Sequence, residues 1–96
     1  MSEQDSDLIG QVCTSKAGHD KNEYYVIVSL LDNKHVGIAN GRKRTIAKPK
    51  KKNLRHLHLT RKRVEEIKQM RESVGDNLKL ATILRKMEDD SVKNQN

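Results

Sequence analysis

In the first half of the chain, apolar residues either alternate with polar ones or gather in short runs, a texture that predicts strands. Leu8, Gly10 and Val12 alternate with Ile9, Gln11 and Cys13, which predicts a first strand ending near Ser15. Residues 16–22 are polar, contain one glycine and read as a loop. Residues 23–31 (EYYVIVSLL) carry β-branched and aromatic side chains with no Gly or Pro and predict the strongest strand. Asp32, Asn33 and Lys34 form a turn, because Asp and Asn tolerate the left-handed backbone such turns use. Residues 35–39 follow as a strand with Val36 and Ile38 on one face. Asn40-Gly41 predicts a type I′ hairpin, so 42–46 is expected to return as the next strand. Pro49 and its neighbouring lysines are expected to interrupt pairing. Leu57 and Leu59 are expected to close the region as a short strand, with His56 and His58 on its outward face.

Five short strands with tight turns in about 50 residues predict a small antiparallel barrel. After Thr60 the period lengthens. Thr60 is placed to cap a helix over 61–73, with Val64, Ile67, Met70 or Arg71, and Val74 as a narrow apolar stripe. Gly75 is placed to end it, and Asp76 to cap a second helix over 77–88 bearing Leu78, Leu80, Ala81, Ile83, Leu84 and Met87. The expected organisation is a disordered leader (1–7), a β-barrel (8–60), a two-helix extension (61–90) and a disordered tail (91–96).

Composition narrows the picture. The chain has 96 residues, with no Phe or Trp, so any core is small and aliphatic. Cys13 is the only cysteine, which excludes an intramolecular disulfide. The start of the chain is acidic and polar and does not read as a signal peptide, and no run approaches a membrane span; a cytoplasmic location is expected.

Charge adds most. The net charge is +7, and residues 8–60 hold eleven Lys/Arg against three acids. Eight of those cations, Arg42, Lys43, Arg44, Lys48, Lys50, Lys51, Lys52 and Arg55, fall within 42–55 with no acid among them. Lysine offers a mobile point charge to a phosphate and arginine a planar fork, so this stretch is the expected contact surface for a nucleic acid. Its arm (42–44) is expected to be held by strand pairing, and its loop (48–52) to be mobile. The lysines lack interleaved apolar anchors, which disfavours a membrane surface. Lys16, His19 and Lys21 around Gly18 would bring a second loop near a polyanion.

Gly10-x-Val12, Ser15-x-x-Gly18-x-Asp20-Lys21, Tyr25-Val26-Ile27-Val28, the Asp32-Asn33 turn, Asn40-Gly41 and Asn53-Leu54-x-His56-Leu57 together resemble the KOW motif and its surrounding domain. The pattern is similar to bacterial KOW-domain RNA-binding proteins related to archaeal and eukaryotic large-subunit ribosomal proteins, and covers about 8–60. The resemblance implies a five-stranded SH3-like barrel, an RNA-binding loop over 16–22 with Gly18 as the motif glycine, and ribosomal or other RNA as partner. Asn22 departs from the glycine usual after Asp-Lys, but Asn tolerates positive φ better than most residues.

His56-x-His58 would put two rings on one strand face, short of the four ligands a structural zinc needs, so no metal or other cofactor is expected. Cys13 reads as a small strand residue. Of Tyr24 and Tyr25, one is expected in the core, leaving at most one to stack on a base; two aromatics cannot build a stacking platform, which favours backbone and shape recognition of structured RNA. No nucleophile–base pair or glycine-rich nucleotide loop is present, so an enzyme is not expected. A DNA-binding helix pair over 62–87 is disfavoured, since residues 61–96 net only +2. The alternative to a ribosome-associated RNA binder is an adaptor that tethers a protein partner, docked on 64–87, to RNA or ribosomes.

Overall fold

The computed structural model describes residues 8–16, 23–70 and 74–94. The expected leader and all of the 16–22 loop beyond Lys16 lie outside them. The elements in chain order are β1 (Gln11–Ser15), β2 (Tyr24–Leu30), β3 (His35–Ala39), β4 (Lys50–Asn53), a 3₁₀ turn (Leu54–His56), β5 (Leu57–Arg63), a second 3₁₀ turn (Glu65–Gln69) and α1 (Val74–Asn94).

The strands form one antiparallel sheet in the order β4-β3-β2-β1-β5. Consecutive β4 and β5 therefore stand at opposite edges, joined only by the Leu54–His56 turn. Four strand spacings would separate the edges of a flat sheet by about 19 Å. The chain from Asn53 to Leu57 can reach only about 14 Å, so the sheet must curl. The turn joins both edge ladders: Leu54 N donates to Lys34 O, and His56 O accepts from Lys16 N.

Alternation gives the sheet two apolar faces. Cys13, Tyr25, Ile27, Val36, Ile38 and Leu57 pack together on one, which Leu8 and Leu54 border. Val12, Val26 and Ala39 occupy the other, covered by Val64, Ile67, Leu80 and Leu84. Each large side chain buried this way contributes about 1.5–3 kcal/mol of transfer free energy. Leu80 and Leu84 are one helical turn apart, so a single face of α1 supplies both.

Several expectations are corrected. Residues 42–46 form no strand; the return strand is 50–53, the lysine run itself. Asn40 does not enter positive φ, so no type I′ turn forms. Its side chain instead accepts from Arg42 N (2.9 Å) and Arg44 N (3.2 Å), and Asn40 N and Gly41 N both donate to Arg44 O. Pro49 does not break β4: it precedes the strand, and its ring packs where Gly37 of β3 lacks a Cβ.

Among the described residues, the extension holds one α-helix. Residues 61–63 continue β5, with Gln11 opposite Arg63, and Thr60 is a strand residue whose hydroxyl donates to Val12 O at 2.8 Å. The period of three in Val64, Ile67 and Met70 belongs to a 3₁₀ turn, in which i and i+3 eclipse. Gly75 lies inside the first turn of α1, and the helix continues through the expected tail to Asn94. Of the two leucines expected to close the sheet, Leu57 is buried and Leu59 is exposed.

Candidate nucleic-acid interface

β4 positions three lysines by register. Lys50, Lys51 and Lys52 stand opposite Ile38, Gly37 and Val36 of β3. Lys50 and Lys52 are half-buried, their stems beside the apolar face, whereas Lys51 on the other face is exposed. Same-face residues on a strand repeat about every 6.7 Å, so the stems of these lysines leave the sheet at set points. The expected mobile loop at 48–52 is thus in large part a paired edge strand. Lysine-rich edges also resist unwanted strand addition, which is sufficient structural reason for part of this run.

The arm 42–44 is held without strand pairing. Its side chains are exposed, while its backbone is folded around the Asn40 amide. Ile46 N donates to Asn77 Oδ1 of α1 at 2.9 Å, and Gly41, at φ +79°, lies against the Asn77 carbonyl. Lys48 N bonds Thr45 O and Oγ1, both at 3.2 Å, leaving its side chain exposed.

A second group gathers where β1 ends and β5 begins. Lys16 is bonded through its backbone to His56, His58 pairs with Thr14, and Arg55 N donates to Asn53 Oδ1 at 3.1 Å. Lys16, Arg55, His56 and His58 are all exposed. His56 lies in the 3₁₀ turn, not on a strand face beside His58. Gly18, His19 and Lys21 lie outside the described residues. Among the described residues, no three His, Cys, Asp or Glu side chains converge as metal ligands.

Arg61 and Lys62 lie on β5, Arg61 exposed and Lys62 half-buried, and not on a helix. Arg63 has another task, donating from Nη2 to Ile9 O (2.9 Å) and from Nε to Glu65 Oε2 (2.6 Å). That bond, with the Lys68 ammonium, holds the Glu65 carboxyl below its ordinary pKa. Asp32 is lowered to about 2, first by the Lys34 N–H and then by the His35 ring. Burial raises the Cys13 thiol to about 12, which leaves it protonated and inert. Tyr25 is the core tyrosine, and Tyr24 is half-buried. No helix among the described residues is long and apolar enough to cross a membrane.

No family model matches the sequence, and no curated protein is significantly similar to it.

Proposed function

We propose that this chain binds structured RNA, with large-subunit ribosomal RNA the first candidate, mainly through phosphate contacts. In this reading the curled sheet closes as a five-stranded SH3-like barrel of the KOW type and acts in the cytoplasm. The observation that carries it is the acid-free set of cations in 42–55, held on a paired strand and on a loop tied to α1. Cations already placed by backbone hydrogen bonds lose less conformational freedom when a polyanion arrives, so more of the contact energy appears as affinity. The Leu54–His56 turn, joined to both edge ladders, supports barrel closure. The 16–22 loop would add a further contact through Gly18, His19 and Lys21.

Sedimentation of the tagged protein through sucrose gradients of cell lysate tests the reading. Co-migration with large ribosomal subunits at low salt, lost as salt rises, is expected. A protein confined to the soluble fractions at every salt concentration would refute the ribosomal assignment.

A second reading, an adaptor that tethers a protein partner to RNA, is favoured by Val74 and Leu78, 77% and 63% exposed on α1. It predicts that Val74→Ser abolishes capture of one protein while RNA affinity is unchanged.

A further inference from the structure

Two concavities flank Ala81 where the β3–β4 loop meets α1, and Arg42 and Arg85 line both. The first, about 210 Å³, also holds Glu23 and Glu88. In that hollow Glu88 Oε2 accepts from Tyr24 N at 3.1 Å, and Glu23 Oε2 accepts from the Tyr25 hydroxyl at 3.2 Å. The second, about 280 Å³, is completed by Leu78 and Thr82 and contains no acid. Both arginines are exposed, and neither makes an ion pair or side-chain hydrogen bond among the described residues. Two arginines from different elements, neither held in an ion pair among the described residues, thus border one acid-free hollow.

The surroundings indicate what would fill it. From Leu78 to Met87, α1 carries Lys79, Arg85 and Lys86 and no acid. At 100° per residue, Leu78, Lys79, Thr82, Arg85 and Lys86 fall on one arc of the helix, and all five are exposed. Lys43 and Arg44 of the loop follow Arg42. A single carboxylate would satisfy one arginine fork and leave the rest of this row unpaired. A chain of evenly repeated phosphates matches the whole row.

We propose that Arg42 and Arg85 clasp one RNA backbone phosphate on the acid-free side of Ala81, which makes α1 part of the RNA-binding surface. The proposal rests on the RNA-binding reading above and extends it from the β4 lysines onto the helix. Each guanidinium offers paired N–H donors to the phosphate oxygens, and the phosphate relieves the repulsion between the two cations.

The test is a double-mutant cycle with Arg42→Ala and Arg85→Ala in the full chain. Binding to a fluorescein-labelled RNA stem-loop of 16 base pairs is read by anisotropy across a salt series. Each single variant should bind about tenfold more weakly, and the double variant also about tenfold, because one phosphate serves both residues. The slope of log affinity against log salt should fall by about 1 in all three. Arg85→Ala matching wild type, or single losses that multiply to about a hundredfold, would overturn the clasp. Retained stem-loop binding by Arg85→Ala together with lost binding to poly-L-glutamate would overturn it in favour of an acidic protein partner. A wild-type chain with no salt-sensitive affinity for either the stem-loop or ribosomal RNA would defeat the underlying reading itself. Melting temperatures of the variants should match wild type, since both side chains are exposed and unpaired.

Discussion

Asn77 of α1 accepts a hydrogen bond from Ile46 N at 2.9 Å, so one amide of the helix anchors the loop that carries Arg42, Lys43 and Arg44. The loop has no strand partner over 41–48. Its conformation is set by two asparagines, Asn40 from within and Asn77 from the helix. Asn77→Ala leaves the Ile46 N–H without its partner and should cost about 1–2 kcal/mol in urea unfolding. RNA affinity should fall several-fold although no cation is lost. Unchanged affinity would show that the arm needs no anchoring.

Gly41 should be more sensitive still. Its φ of +79° is unfavourable for any residue with a Cβ, and that Cβ would run into the Asn77 carbonyl. Gly41→Ala should destabilise the fold by about 1–3 kcal/mol, measured by thermal unfolding. A neutral substitution would mean that the loop does not lie against α1.

α1 is not a detachable appendage. Leu80 and Leu84 are buried against Val12 and Val26 of the sheet. Leu80→Ala should cost about 2–5 kcal/mol. Removal of residues 74–96 should expose that face and abolish cooperative unfolding by circular dichroism. A truncated chain with a sharp, near-wild-type transition would contradict this packing.

Lys51 separates binding from stability. It is exposed and stands opposite Gly37, with no side chain directly across the ladder to lose. Lys51→Ala should change stability by less than about 0.5 kcal/mol. Under the RNA-binding proposal it should also weaken stem-loop binding and reduce the salt slope by about 1. An unaltered slope would remove Lys51 from the interface.

Asp32 gives the β2–β3 turn an acid dependence. Its carboxylate accepts from Lys34 N and His35 N, both at 2.8 Å, and meets the His35 ring at 3.0 Å. These bonds lower its pKa in the folded state to about 2. A depressed folded pKa contributes stability that is complete above the unfolded value near 3.9 and is lost as pH falls towards about 2. The melting-temperature advantage of wild type over Asp32→Asn should therefore shrink across that window. A difference constant from pH 7 to pH 2 would contradict the role of the charged form.

Sequence alone determined that the first three strands exist, though the first begins at Gln11 and not at the expected Leu8, because Val, Ile and Tyr at alternating positions can bury one set of side chains only when extended. It also determined which face of the last helix is apolar and where the cations concentrate, since both follow from spacing and composition. The Lys50–Asn53 strand was not legible. Lysine has little intrinsic preference for a strand, and this segment is extended because β3 offers it a ladder and Gly37 makes room for Pro49. Residues 61–63 were misplaced for a similar reason. The partner of Arg63, Gln11, is about fifty positions away, and Val64, Ile67 and Met70 fit a helical stripe as well as a 3₁₀ turn. The pairing of Arg42 with Arg85 across one hollow was beyond sequence altogether, because local periodicity carries no information about which distant elements meet. Only the packing of α1 beside the β3–β4 loop puts Arg42 and Arg85 around the same hollow.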